Sequence, residues 1–329
     1  ILNVNPQFVA RQTHLEDTFA NIASNCDQPC ILLCDRGTMD GSAYIDPEVW
    51  NELLQRYSFD KVTLRDGRYN AVFHLVTAAN GGKHCLPFML NSALPYYTLA
   101  NNAIRTETPE EARRLDLRLQ EAWIGHPKLV VIDNSTDFEG KLERLVARLS
   151  AMIGLPTTRK KFRKFVLRSP FSTSSIPPAV KFETFEVEKV MLTTGLFEEG
   201  QFVSFATPYR AQGALCAYGE TATRFNVDGQ KIERKRIIRS REYKSAINTM
   251  ADPSRRVVRQ IRHSFLWESH YYEIYVYETP RNGLCILNTQ VDDEKDTPLP
   301  PFINLVKEVT GDEQYSAYFV SLKSQVGFF

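Results

Sequence analysis

Several residue sets in this 329-residue chain have the charge and spacing to handle phosphate groups. Asp35-Arg36 follows the apolar run CILLC (30–34), Asn134-Ser135 follows LVVID (129–133), and Arg105, Arg113, Arg114 and Arg118 gather between them. A carboxylate at a strand end can hold magnesium or orient an acceptor, and arginines on a mobile segment can close over phosphates and offset developing charge. Further on, Glu186 and Glu188 alternate, as do Glu233 with Lys235, Arg234 with Arg236 and Gln260 with Arg262. In extended strands each such pair shares a face. A barrel lined by these rows could take a polyphosphate through magnesium on the acids and direct contacts from Arg and Lys. The same residues suit plainer duties. Asp at a strand end caps the next turn, surface helices carry Arg, and period-two charge also marks the outer face of a sheet.

Positioning such residues requires a scaffold, and the apolar pattern supplies one. Phe8, Leu15, Phe19 and Ile22 recur at helical spacing over 7–24. CILLC, bounded by Pro29 and Asp35-Arg36-Gly37, reads as a strand buried on both faces. Asp46-Pro47 opens a helix at 46–57, and Thr108-Pro109-Glu110 opens another at 108–124. AVFHLV (71–76) and LVVID read as further strands, and a helix over 138–153 ends at Gly154. Strands alternating with helices predict an α/β sheet, whose ligands sit at the carboxyl ends of the strands.

After Gly154 the pattern changes. A basic stretch (159–164) and SPFSTSSIPP (169–178) read as a linker over 156–180. Beyond it, 182–192, 214–225, 231–238, 255–267, 271–278 and 284–291 are strand-like, with helices predicted at 240–251 and 301–310. Short antiparallel strands of this kind suggest a barrel or strongly curved sheet. The chain therefore divides into an α/β unit over 1–155, the linker, and an α+β antiparallel unit over 181–329.

Composition narrows the classes. At 43% hydrophobic and 24% charged residues the chain is neither disordered nor fibrous. No apolar run approaches the roughly 20 residues that span a bilayer, and six Cys in 329 residues is too sparse for a disulfide scaffold, so a soluble, cytoplasmic protein is expected. Residues 1–155 carry 15 Lys/Arg against 19 Asp/Glu, whereas 231–262 carry 11 against three. That basic concentration suits an anionic partner or a solvated face.

A glycine-rich phosphate loop of the form G-x-x-x-x-G-K-[ST] is not found. Asn80-Gly81-Gly82-Lys83 comes nearest, but Thr77 and His84 occupy two defining positions. Such a loop would belong on the first strand of the sheet, and it is expected to lie before Ile1. The strings CILLCDRGTMDGSAYI, LRDGRYNAVFHLVTAANG, RTETPEEARRLD, AWIGHPKLVVIDNSTDFEGKL and LVKEVTGD resemble the TRPL translocation defect protein family. That resemblance covers most of 10–155 and parts of 180–322. It implies a P-loop NTPase- and kinase-like domain followed by a CYTH-like, triphosphate-tunnel domain. It also implies GTP or ATP binding with Mg2+, binding of acidic phospholipid (phosphoinositide or phosphatidic acid), and a role in membrane trafficking.

By the same resemblance Asp35, also the catalytic candidate, and Arg36 fall in the magnesium and phosphate region. Arg105, Arg113 and Arg114 form a lid, and Asn134 lies near the base. EVEK (186–189) is similar to the E-x-E-x-K signature of CYTH domains, one residue short before the Lys. Glu186 and Glu188 are carried over as metal-side acids, and Arg224, Lys235 and Arg262 as phosphate or lipid head-group contacts. Tyr275 and Asn288 stand where acids are expected, which favours binding over hydrolysis.

Cys26, Cys30 and Cys34 lack a nearby His for a zinc site, His74 in an apolar strand reads as a hydrogen-bonded core residue, and the Tyr271–Tyr277 cluster reads as packing, which disfavours nucleic acid. The leading expectation is a nucleotide- and acidic-phospholipid-binding trafficking protein or scaffold, soluble or peripheral on a membrane. One alternative is a magnesium-dependent phosphotransferase, nucleoside-triphosphatase or triphosphate hydrolase. The other is a degenerate structural subunit docking on protein partners in a larger assembly.

Overall fold

The structure, a computed structural model, describes residues 6–26, 30–81, 107–153, 162–193, 203–225, 231–268, 270–291 and 297–323. The four predicted helices form as α1 (Pro6–Ser24), α2 (Pro47–Arg56), α4 (Pro109–Ala122) and α5 (Phe138–Met152). Thr108 and Glu111 make the reciprocal capping box that starts α4, and Asp137 accepts from the Gly140 amide to start α5. A short helix that the sequence reading omits, α3 (Lys61–Asp66), begins where Asp60 accepts from the Thr63 amide. Strands β1 (Val72–Leu75) and β2 (Leu129–Ile132) pair in parallel, with Val72 opposite Leu129. Their core gathers Val9, Met39, Trp50, Leu53, Leu54, Leu64, Trp123 and Leu129.

Residues 30–34 do not form the buried strand that their composition predicts. They join no ladder, and Ile31, Leu32 and Leu33 are exposed, Leu33 at 76%. An apolar run becomes a strand only beside a partner whose N–H and C=O groups it can use.

The remainder is a nine-stranded antiparallel sheet in the order β11-β3-β10-β9-β8-β4-β5-β6-β7. Its strands are β3 (Phe162–Leu167), β4 (Phe182–Leu192), β5 (Val203–Gln212), β6 (Leu215–Phe225), β7 (Lys231–Ile238), β8 (Val258–Trp267), β9 (His270–Thr279), β10 (Cys285–Gln290) and β11 (Leu305–Glu308). Helix α6 (Ser240–Met250) follows β7, and α7 (Ala317–Val320) closes the described chain. Two expectations are corrected. The basic stretch assigned to the 156–180 linker contains β3, held between β10 and β11. The helix expected over 301–310 is replaced by β11, whose residues pair with β3. Among the described residues β7 and β11 end the strand order without pairing, so the order is that of an open sheet. The architecture is mixed: a parallel pair with helices, joined to an antiparallel sheet.

Register assigns the faces of that sheet. Phe185, Val187, Gln260, Arg262, Ser264, Glu273, Tyr275, Tyr277, Asn288 and Lys164 share one face. Glu186, Glu188, Arg259 and His263 share the other. The first face is apolar at one end, where Met191, Val258, Tyr277 and Ile286 meet Val320 of α7. At its other end it meets the parallel unit: Tyr271 enters the Trp50–Trp123 core, and Gln290 donates to the Leu129 carbonyl. The second face is covered by Phe165, Phe265, Tyr272, Ile274 and Leu287 with Ile176 and Ile303, and by α6, whose Tyr243 lies against Tyr218 with ring centres 4.8 Å apart.

Candidate functional sites

Two polar clusters are built into this scaffold. The first lies at the carboxyl ends of β1 and β2. Asp116 of α4 is buried, and its Oδ1 accepts from the Thr77 amide at 2.9 Å and lies 3.0 Å from His74 Nε2. Its Oδ2 accepts from Asn80 Nδ2 at 3.3 Å and Gln120 Nε2 at 2.8 Å. Beside it Lys141 Nζ donates to the Val76 carbonyl and Asn134 Oδ1, both at 2.6 Å, and Asn134 Nδ2 donates to the Thr77 carbonyl at 2.8 Å. Burial lowers the Lys141 ammonium to about 8. Asp133 behaves oppositely: burial raises its carboxyl, but Ser135 and Arg144 donate to it and hold it below its ordinary value.

Of the residues expected here, Asn134 and Arg113 come together around the turn that follows β1, since Arg113 Nε donates to the Ala79 carbonyl at 2.7 Å. Arg114 and Arg118 are exposed on α4, and Arg105 lies outside the described residues. Asp35 and Arg36 are exposed and belong to the α1 side, where Gln12 donates to the Arg36 carbonyl and Arg36 reaches Asp40 at 3.9 Å. Arg36 has a φ of 70°, a left-handed backbone for a bulky residue.

The second cluster crosses the sheet face that meets the parallel unit. Arg262 donates through Nε and Nη2 to Gln260 Oε1 at 3.1 and 2.8 Å, and its guanidinium lies 4.1 Å over the Tyr275 ring. Tyr275 donates to Glu273 Oε2 at 2.8 Å; burial and then the Glu273 charge push its phenol well above the ordinary value. Glu273 is buried at 8% exposure, and its Oε1 has no hydrogen-bond partner. Arg210 of β5, at 7%, lies 3.7 Å over the Phe185 ring with Nε and Nη2 likewise unpartnered. Asn288 and Lys164 continue the row beyond Glu273.

The parallel unit caps this row. Arg65 of α3 is fully buried, its guanidinium lies 4.9 Å from the Phe185 ring centre, and it grips Asp66 through Nε and Nη2 at 2.6 and 3.1 Å. It also donates to the Ile124 carbonyl and to Gln212 Oε1, each at 3.2 Å. Gln212 donates to Glu183, which pairs with Lys61 of α3 at 2.7 Å. Gly125 allows the approach: a Cβ there would stand 2.3 Å from Phe185 Cζ, and its φ is +97°.

The sheet also separates residues expected to act together. Glu186 and Glu188 do share a face, but it is the face opposite Arg262; Glu186 is exposed and Glu188 pairs with Arg259 at 2.9 Å. Their alternation is legible, but the choice of face belongs to tertiary packing. Lys235 is exposed on β7, opposite Thr221. Arg224 lies on β6 opposite Val203, and its side chain is outside the described residues. The acids proposed for magnesium thus do not fit that role with Arg262. Among the described residues no group of three or more His, Cys, Asp or Glu could hold a metal ion. Sequence reasoning missed Arg210, Glu273, Lys164, Arg65 and Asp66. Only Glu273 left a signal, an acid set at period two among the tyrosines of YYEIYVYE.

A family model described as an AAA domain matches residues 2–141. Among curated proteins none matches the sequence. Solved structures similar to part of the chain include one described as the inorganic triphosphatase NE1496. It is 18% identical, with a TM-score of 0.32, over 51% of this chain and 97% of that one. A Hippeastrum protein described as a putative adenylyl cyclase with dominant triphosphatase activity is 14% identical, with a TM-score of 0.28, over 41% and 81%. A Pyrococcus horikoshii protein, PH1819, is 12% identical, with a TM-score of 0.32, over 41% and 80%. No helix among the described residues is long and apolar enough to cross a membrane.

Proposed function

We propose that this chain binds phosphorylated ligands in two places, a nucleotide through its AAA-like part and a phosphate-bearing group on the Arg210–Arg262 face of the antiparallel sheet. The observation that carries the reading is Arg210, buried on the face that also presents Arg262, whose Nη2 and Nε make no hydrogen bond and whose Nε has the Asp66 carboxylate only at 3.9 Å. A buried guanidinium donor without an acceptor costs free energy that an anionic oxygen would recover. The AAA-domain match over residues 2–141 supports the nucleotide half. The resemblance to the TRPL translocation defect family points the same way: GTP or ATP on the first part, and a phosphoinositide or phosphatidic acid head group on the second, in a trafficking or scaffolding protein.

Arg210 and Arg262 supply binding rather than turnover. Neither holds a proton that it can give up near neutral pH, and the expected metal acids face the other way. The test is calorimetric titration of the protein with tripolyphosphate, GTP and ATP, each with and without magnesium, and flotation with phosphatidic acid or phosphoinositide vesicles. Saturable binding of tripolyphosphate that weakens at least tenfold in Arg262→Gln supports the sheet site. A thermal shift with nucleotide, lost in Asp35→Ala, supports the first; a ligand at a hundredfold excess over its Kd stabilises by about 2.7 kcal/mol. No binding of any of these ligands would overturn the proposal.

A further inference from the structure

Asp66 stands 3.9 Å from Arg210 Nε, with its carboxylate 1% exposed and held bidentate by Arg65. The short helix α3 therefore inserts both a cation and an anion from the parallel unit against a cation of the sheet. We infer that Asp66 is an internal competitor for the anion that Arg210 would bind, and that ligand on the sheet is felt by the parallel unit through α3. The inference rests on the sheet site proposed above.

At this separation and in a buried setting, a carboxylate lowers the local potential strongly enough to oppose a second anion. Of the other acids on this face, Glu183 is engaged by Lys61 and Gln212, and Glu273 accepts from Tyr275 two strands beyond Phe185. A phosphate oxygen on Arg210 must therefore share a cation with Asp66 or displace its influence. Helix α3 has its own route onward. Arg68, two residues past Asp66, pairs with Glu16 and Asp17 of α1, and Tyr69 donates to Glu16 while accepting from the Thr38 amide at 2.8 Å. Thr38 closes the segment that begins at Asp35-Arg36. Two sites joined by one packed element that both bias are energetically coupled, and the coupling is reciprocal.

The test is titration of the full chain with tripolyphosphate, comparing wild type with Asp66→Asn. Asp66→Asn keeps the shape and removes the charge, so affinity rises roughly tenfold or more. A gain of affinity is a readout that damage to the fold would not give. Amide exchange of wild-type α3, read with and without tripolyphosphate, covers the case in which Asp66→Asn does not fold; faster exchange over 61–69 with ligand is expected. Wild-type binding with unchanged or weaker affinity in Asp66→Asn, or unchanged exchange in α3, overturns this inference alone. No binding by wild type or Asp66→Asn overturns the sheet site together with it.

Discussion

The cluster around Asp116 and the row around Arg210 use the same kinds of residue to opposite ends. Both oxygens of Asp116 are taken, by a backbone amide, His74 and two side-chain amides, and Lys141 is held by two acceptors. Such a cluster fixes the β1 turn and has little left to offer a ligand. In the sheet, two Arg210 donors and one Glu273 acceptor make no hydrogen bond, with Asp66 only at 3.9 Å from Arg210, although each residue is more than nine-tenths buried. Nearly all buried polar groups in folded proteins are paired, so exceptions mark places where something else completes the arrangement. The satisfied cluster is read as architecture and the unsatisfied row as a receptor.

The largest effect that would sharpen this contrast is on stability at the satisfied cluster. Asp116→Ala strands four donors and is expected to cost about 3 kcal/mol or more, lowering the Tm by roughly 5 °C or more. Tripolyphosphate affinity, measured below the new Tm, should stay unchanged. A loss of affinity in that variant would erase the distinction between the two regions.

Next in size is a pH effect at the junction. His126 is fully buried with Nδ1 accepting from the Lys128 amide and Nε2 against the Tyr69 carbonyl, which suits the neutral ring. Burial lowers it to about 4 from an ordinary 6.5. The folded-state value is the lower one, so its stabilising contribution is full above pH 6.5 and is lost as pH falls toward 4, about 3 kcal/mol in all. Urea unfolding of wild type and His126→Gln between pH 7 and 4 should show a steeper loss in wild type. Equal slopes would contradict the assignment.

Gly125→Ala should cost about 2 kcal/mol, because its Cβ would meet the Phe185 ring in a left-handed backbone. That clash also pushes on the Phe185 ring that both Arg65 and Arg210 contact, so the variant should show a lower urea midpoint and weaker tripolyphosphate binding. The smallest stability effect belongs to Arg210→Met. Replacing a buried, incompletely paired cation with a neutral chain of similar length is expected to change stability by within about 1 kcal/mol. Circular-dichroism melts would show this, and a large loss would mean that Arg210 is architectural like Asp116.

Much of the parallel unit is legible in the sequence because its signals are local. Asp46-Pro47 and Thr108-Pro109-Glu110 announce α2 and α4, and LVVID with its flanking turns announces β2. CILLC misleads because an apolar run says nothing about whether a neighbouring strand exists. In the sheet, β4 and β6 to β10 are legible from β-branched and aromatic content. β3 is hidden by its basic flank and by partners more than a hundred residues away. The candidate site is the least legible part. Glu186 and Glu188 alternate as expected, but both faces of β4 are partly covered, so alternation cannot say which side receives Arg262. Arg65 and Asp66 reach the sheet only through tertiary packing of α3, and nothing in the string KVTLRD marks them as its partners.

The most direct test of the account is calorimetric titration of tripolyphosphate into wild type and Arg210→Met under identical salt and pH. The account predicts saturable binding by wild type and a loss of affinity of at least tenfold in a variant that melts normally. Equal binding by the two proteins, or none by wild type, would contradict it.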